Sequence, residues 1–128
     1  MILDTSAVMA VLFREKQWER LEESIEAAGF LAIGAPTLFE AEMVAFKAFG
    51  RQGQELVEQF LIDRGIRVLP FDGHHWQIAV KAFSRYGKGR HPAALNYGDC
   101  MSYAIAADAG QPLLFVGDDF AKTDIPPA

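Results

Sequence analysis

Four short apolar segments alternate with helical patterns from one end of the chain to the other. The segments lie in MIL, FLAIGAP, IRVLPF and PLLFV. Strands that alternate with helices in this way are typical of an α/β domain, whose parallel strands are joined by helical crossovers. The last segment is apolar throughout, as expected of a strand buried on both faces. The sequence therefore predicts an α/β fold with a mostly parallel central sheet flanked by helices on both faces.

Residues that favour helix ends separate these segments. Asp4 can cap the first helix, Thr37 the third and Asp72 the fifth, because their side-chain oxygens can accept hydrogen bonds from free N–H groups. Gly50 and Gly53 are expected to bracket a break between the third and fourth helices. A segment rich in glycine and basic residues, GKGRHPAALNYGD, is predicted to be a long irregular loop before the last helix.

The length and composition are those of one domain. A chain of 128 residues that is 51% hydrophobic can fill a single core, so we expect one domain over residues 1–128. A net charge of −5 argues against a protein that is basic all over its surface and wraps nucleic acid. The first residues lack the basic and long apolar regions of a secretory leader, and no apolar run approaches the ~20 residues of a membrane span. Cys100 is the only cysteine and has no partner for a disulfide, as in a reducing compartment.

Carboxylates are expected at the same edge of the sheet. Asp4 follows the first strand, Glu40 lies in the first turn of the helix after the second strand, and Asp99 starts the helix after the basic loop. Asp118 and Asp119 follow the last strand, and Asp118 is favoured because it is nearer the strand end. Ligands of open parallel sheets bind outside the carboxyl ends of the strands.

Each of these acids taken alone is explained equally well as a helix cap. Together they would repel one another, so such a site either raises their pKa values or binds a cation. Ligands that are all oxygen select hard ions, and Mg²⁺ or Mn²⁺ is expected. No spacing of His or Cys residues indicates zinc.

Four motifs identify a family resemblance that covers essentially the whole chain. They are ILDTSAV, TLFEAEMV, NYGDCMSYAIA and PLLFVGDDFAKTDI. In their order and spacing they resemble a PIN domain of the VapC type, the toxin of type II toxin–antitoxin systems. The resemblance implies a metal-dependent ribonuclease that forms a homodimer, is inhibited by a cognate antitoxin and acts in the cytoplasm.

The resemblance also implies roles for individual residues. Asp4, Glu40 and Asp99 match the acidic triad of the family, and the fourth acid falls on Asp118 or Asp119. Thr5 or Ser6 matches a hydroxyl that supports the site. The expected catalytic and metal-binding set is thus Asp4, Glu40, Asp99, Asp118 and Asp119, with Thr5 and Ser6 in support.

Basic and apolar surfaces are the expected contacts for RNA and for a partner protein. Arg85, Lys88 and Arg90 are candidates for RNA phosphate contacts, with a solvated loop as the alternative. The helices TLFEAEMVAFKAFG and EKQWERLEESIEAAG carry apolar stripes that could accept an amphipathic antitoxin helix. A basic side chain of the antitoxin could enter the acidic site.

Two other functions remain open at this point. A phosphatase of the haloacid dehalogenase type also uses an Asp after the first strand, but it would have a second acid two residues later, where this chain has Ser6. A non-catalytic module whose acids bind a basic peptide is the other alternative.

Overall fold

The computed structural model describes residues 1–128 and confirms the α/β class. The elements in chain order are β1 Ile2–Leu3, α1 Thr5–Leu12, α2 Trp18–Ala27, β2 Ala32–Gly34, α3 Ala35–Phe49, α4 Arg51–Arg64, β3 Arg67–Leu69, α5 Gly73–Tyr86, α6 Tyr97–Ala109 and β4 Leu113–Leu114. A single turn of 3₁₀ helix follows at Phe120–Lys122. No helix has both the length and the hydropathy of a membrane span.

The four strands form one parallel sheet in the order β3-β2-β1-β4. In the centre of the sheet, Ile2 pairs with Ala32 on one side and with Leu113 on the other. Because every strand runs in the same direction, their carboxyl ends lie at one edge. The predicted parallel sheet is therefore confirmed, and it brings the ends of β1, β2 and β4 together.

Alternate strand residues pack on opposite faces of the sheet. Ile2 belongs to a core that includes residues of α5 and α6, whereas Leu3 belongs to a second core with residues of α1 to α4. The same alternation holds for Ala32 and Ile33 of β2 and for Leu113 and Leu114 of β4. Side chains of successive strand residues point to opposite faces, so both faces are covered by helices, as predicted.

The predicted cap at Thr37 is wrong. Helix α3 begins at Ala35, with Gly34 as its N-cap and Pro36 in its first turn. Proline favours the first turn of a helix because its missing N–H has no partner there. Thr37 is consequently inside the helix and buried, and Glu40 lies in the second turn of α3 rather than in the first.

The predicted break between α3 and α4 is shorter than expected. Gly50 alone joins the helices, with a φ of 62° that favours glycine. Gly53 lies inside α4, where a Cβ atom would be 2.2 Å from the backbone oxygen of Ala45 in α3. Gly53 therefore permits close packing of the two helices rather than ending one of them.

The predicted start is confirmed for α5 and wrong for α6. The carboxylate of Asp72 caps α5, as predicted, and forms a reciprocal capping box with His75. Asp99 does not start α6: Asn96 is the N-cap, and Asp99 is the third helical residue. Since the N-terminal end of α6 lies after the irregular segment 87–96, that loop leads directly into the acidic site described below.

Candidate active site

The carboxylate of Asp4 is the most deeply buried acid in the chain. Asp4 directly follows β1 and is only 6% exposed. Its Oδ2 accepts hydrogen bonds from the N–H and hydroxyl of Ser6 at 3.0 and 2.6 Å, and its Oδ1 accepts one from the hydroxyl of Ser102 at 2.7 Å. Hydrogen bonds to an ionised acceptor are short and strong, and they offset the loss of water around a buried charge. Ser6 thus acts as a donor to Asp4, at the position where a dehalogenase-type phosphatase would have its second acid.

The hydroxyl groups around Asp4 connect it to three other parts of the fold. The hydroxyl of Ser102 is 3.0 Å from that of Thr37 in α3 and, because it donates its own proton to Asp4, it accepts from Thr37. The oxygen of Ser6 accepts the backbone N–H of Val116, which follows β4. These contacts fix both oxygens of Asp4 relative to α3, α6 and the segment after β4.

Sequence reasoning missed Ser102 and the contact of Thr37. A signal for Ser102 exists in the sequence, since residues three apart lie on the same side of a helix and Ser102 follows Asp99 by three positions. Ser102 stands directly before the small and apolar residues YAIA, and its hydroxyl could have been interpreted as a donor to the acidic site. Nothing local to Thr37 indicates its contact with α6.

Glu40 is held by a separate hydroxyl. Its Oε2 accepts a hydrogen bond of 2.6 Å from Thr5, the residue after Asp4. Glu40 also lies against Gly98 in the first turn of α6. Thr5 and Ser6 therefore serve different acids, whereas the sequence left open which of the two supports the site.

Asp99 is the acid whose ionisation is most strongly disfavoured. Burial, together with the charges of Asp4, Asp119 and Glu40, raises its pKa to about 6, against a hydrogen bond from the backbone of Asn96 that lowers it. That bond, from the Asn96 N–H to Oδ2 of Asp99, is 2.8 Å long. Three carboxylates, one directly after β1, one in α3 and one after β4, thus lie within electrostatic reach of Asp99 in α6.

The structure connects Asp119, rather than the favoured Asp118, to this group. Both follow β4 and Gly117 and are exposed, but it is the charge of Asp119 that helps to raise the pKa of Asp99. Asp119 precedes the 3₁₀ turn without capping it through its side chain. Its carboxylate therefore has no structural partner that would explain its position.

The four acids form an open arrangement. No three Asp, Glu, His or Cys side chains are grouped tightly enough to make a ready-formed metal cluster. Like charges repel, and three of these carboxylates are held by hydroxyl or amide donors instead. All the available ligand atoms are oxygens, so the chemistry of the set fits a hard divalent cation.

The three basic candidates have different surroundings. Arg85 forms an ion pair of 3.0 Å with Asp124 and lies over the ring of Tyr86. Lys88 and Arg90 are exposed in the loop before α6 and form no salt bridge. Lys88 and Arg90 are consequently freer than Arg85 to contact a phosphate.

Two histidines at the start of α5 lie outside the acidic site. His74 and His75 contact opposite oxygens of Asp108, near the end of α6, at 2.9 and 3.1 Å. These pairs link the antiparallel helices α5 and α6. Neither histidine has a contact with any of the four acids.

Comparison with known proteins gives one family. The family model for the PIN domain matches residues 1–126. Ribonuclease VapC30 of Mycobacterium tuberculosis is 39% identical over 125 residues, covering 98% of this chain and 95% of that protein. Ribonuclease VapC42 of the same organism is 40% identical over 129 residues, covering 100% of this chain and 98% of that protein.

Solved structures share the fold at lower sequence identity. The crystal structure of VapC20 of M. tuberculosis, described as a sarcin-ricin loop cleaving toxin, has a TM-score of 0.79 at 12% identity and covers 99% of this chain and 97% of that one. A toxin–antitoxin complex from Klebsiella pneumoniae has a TM-score of 0.70 at 19% identity, with coverage of 96% and 92%. Both similarities cover nearly the whole of this chain.

The raised pKa of Asp99 predicts how stability depends on pH. Because the folded protein holds this proton up to a pH of about 6, whereas an ordinary aspartate has a pKa of 3.8, it binds more protons than the unfolded chain between these values. The free energy of unfolding of the metal-free protein should therefore fall as the pH rises from about 4 to 6. Asp99→Asn should reduce that fall by about 1–2 kcal/mol, after allowance for solvent screening of a partly exposed group.

Urea unfolding of the metal-free protein across this pH range measures the effect. Glu58→Gln, an exposed acid of α4 outside the site, is the matched control and should keep the pH dependence of the parent. Identical pH dependence in the parent and in Asp99→Asn would show that Asp99 is an ordinary surface carboxylate.

Proposed function

The chain belongs to the PIN domain family, and we propose that it is a divalent-metal-dependent endoribonuclease, the toxin of a VapBC-type toxin–antitoxin pair. One observation carries the proposal: Asp4, Glu40 and Asp119 come from three separate segments, and each lies close enough to Asp99 to raise its pKa. The relatives at 39% and 40% identity, which are named as ribonucleases, support the same activity over nearly the full chain.

The proposed cofactor is Mg²⁺ or Mn²⁺. Asp4, Glu40, Asp99 and Asp119 would hold it, because hard cations prefer carboxylate oxygens. When bound, such an ion lowers the pKa of a water molecule and offsets the negative charge that develops on a phosphodiester during hydrolysis. A cation binds the carboxylates in their charged form, so Asp99 must lose its proton when the ion binds. Its raised pKa means that it keeps this proton to a higher pH than an ordinary aspartate does.

The remaining residues of the site orient the acids. Ser6 and Ser102 fix the two oxygens of Asp4, and Thr5 fixes one oxygen of Glu40. Partners that hold the ligand side chains in place tune the geometry and affinity of a metal site. The acids are thus held in position before substrate binds, apart from the exposed side chain of Asp119.

RNA must approach an edge that is itself negative. Lys88 and Arg90 are exposed on the loop that leads into α6, which carries Asp99, and they would attract the phosphates that flank the scissile bond. Arg85 is the weaker candidate, because Asp124 neutralises it. Contacts to phosphate alone carry no base specificity, so this loop contributes affinity rather than target choice.

Two apolar surfaces are proposed for protein partners. A groove of about 560 Å³ between α3 and α4 is lined by Leu38, Ile62 and Val68, with Glu42 and Glu58 among its lining residues. We assign it to a helix of the antitoxin, whose basic residues would meet these acids. The apolar stripe of α2 is not available, since Leu21 and Ile25 are buried in the core.

The second surface is proposed as the homodimer contact. It is a groove of about 460 Å³ between α5 and α6 and includes Trp76, Phe83 and Tyr97, which are 60%, 43% and 80% exposed. Phe39 and Met43 of α3 extend it through a neighbouring cavity that shares Tyr97. An apolar surface of this extent on a monomer commonly marks an interface.

The first test is RNA cleavage by neutralised variants. Asp4→Asn, Glu40→Gln and Asp99→Asn should each reduce cleavage of total RNA at least about 100-fold, because each removes a charge that binds the cation. Glu42→Gln, two residues along α3 from Glu40, is the control and should cleave like the parent. Mapping of the cleaved ends with Mn²⁺ present and calorimetry without metal give the two measurements. Asp4→Asn also loses hydrogen bonds that hold the fold, so the melting temperatures of Glu40→Gln and Asp99→Asn decide: if these two melt far below the parent, the acids are structural and the site is wrongly assigned.

Asp119 and Asp118 are separated by their effect on metal affinity. Asp119→Asn should weaken Mn²⁺ binding about tenfold, as expected for loss of a direct charge contact worth about 1.4 kcal/mol. Asp118→Asn should change it little. Calorimetric titration of the RNA-free protein with Mn²⁺ measures both, and a larger loss for Asp118→Asn would reverse the assignment.

Competition between metal and antitoxin is expected at the same acids. If a basic side chain of the antitoxin pairs with Asp4, Glu40 or Asp99, added Mn²⁺ should lower the affinity of the complex. The affinity is measured across a Mn²⁺ titration at constant ionic strength, with Asp99→Asn as a variant whose complex should respond less. An affinity independent of Mn²⁺ would exclude this mode of inhibition and leave blockage of the RNA-binding edge.

A further inference from the structure

Gly98, the second residue of α6, lies against the carboxylate of Glu40. A Cβ atom on Gly98 would be 2.7 Å from Oε1 and 3.0 Å from Oε2 of Glu40, and its third neighbour would be the carboxyl carbon at 3.2 Å. Real Cβ atoms essentially never approach another heavy atom to less than 3.0 Å. The space beside the backbone of Gly98 is thus filled by this carboxylate and by no other group that close.

The carboxylate is bounded on two sides. Thr5 donates a hydrogen bond of 2.6 Å to Oε2, and Gly98 lies next to both oxygens. A side chain at residue 98 would push the carboxylate and strain the hydrogen bond to Thr5. The position of the charge therefore depends on the absence of a side chain in α6.

Backbone conformation does not explain a glycine at this position. Gly98 has no positive φ, unlike Gly50, Gly65 and Gly110 at the helix ends. Within a helix, glycine is less favourable than alanine by up to about 1 kcal/mol. Gly98 thus lowers the stability of α6 without serving a turn.

The contacts of two other glycines show what a purely structural role looks like. A Cβ on Gly34 would meet Ile105 at 2.8 Å, and one on Gly53 would meet backbone atoms of Ala45. Both contacts are with the packed interior, which cannot move away freely. The group beside Gly98 is instead the free end of a flexible side chain.

We propose that Gly98 is a positioning residue that reserves the space in which Glu40 holds its carboxylate for the divalent cation. This rests on the proposed function only in that Glu40 is taken as a metal ligand. A side chain at residue 98 displaces the carboxylate and leaves the fold intact, because the carboxylate can turn aside more easily than α6 can shift.

Gly98→Ala tests the proposal against Gly73→Ala as a matched control. Gly73 also lies in a first helical turn, that of α5, and a Cβ there would meet nothing within 4 Å. Both variants should melt at or above the temperature of the parent. Gly98→Ala alone should bind Mn²⁺ about tenfold more weakly and cleave RNA 10- to 100-fold more slowly, since a displacement of about 1 Å can cost 10²-fold in rate. A metal-free crystal structure of Gly98→Ala should show Glu40 turned away from Thr5.

A second test combines Gly98→Ala with a shorter acid at residue 40. Glu40→Asp removes one methylene and makes room for a Cβ, so adding Gly98→Ala to Glu40→Asp should weaken Mn²⁺ binding less than adding it to the parent. Residues in contact are expected to show such non-additivity. Parental Mn²⁺ affinity in Gly98→Ala, or an equal loss in both backgrounds, would overturn the proposal. If the parent itself does not cleave RNA, the ribonuclease assignment fails, while the Mn²⁺ affinities and the position of Glu40 still decide the role of Gly98.

Discussion

The hydrogen-bonded carboxylate of Asp4 is the fixed point of the structure. It is 6% exposed, and a charge so deeply buried is tolerated only when donors surround it. The donors come from different elements: Ser6 also binds the N–H of Val116 after β4, and Ser102 of α6 is bound in turn by Thr37 of α3. Satisfying this one charge therefore places three further elements around the end of β1.

The ionised acids of the site lower the stability of the folded protein. Burial and neighbouring negative charges raise the pKa of Asp99, which means that its ionised form is less favourable here than in water. The two cores on either side of the sheet offset this cost, since every residue of β1 and β4 is buried against helices. Functional sites commonly retain such unfavourable groups because removing them would remove activity.

The features predicted correctly from the sequence are those that follow from the local residue pattern and from the direction of the strands. Alternating strands and helices give a parallel sheet, and that sheet brings Asp4, Glu40 and Asp99 to one edge. The predicted cap at Thr37 is wrong because Gly34 and Pro36 start the helix at Ala35, before Thr37 is reached. The spacing of Ser102 from Asp99 places it on the same side of α6, but its acceptor could not be predicted, because the hydrogen bond to Asp4 joins residues that are 98 positions apart and only the fold brings them together.

The first turns of α6 contact or contain Asp4, Glu40 and Asp99, and this ties the candidate site to the packing of one helix. Asp99 supplies a carboxylate, Gly98 leaves room for Glu40, and Ser102 donates to Asp4. Residues three and four apart share a helix face, so a single face of α6 carries these functions. A rotation or shift of α6 would disturb all three acids together. Because α6 packs on α5 and both line the proposed dimer groove, a partner at that surface would contact the helix that helps to position the acids.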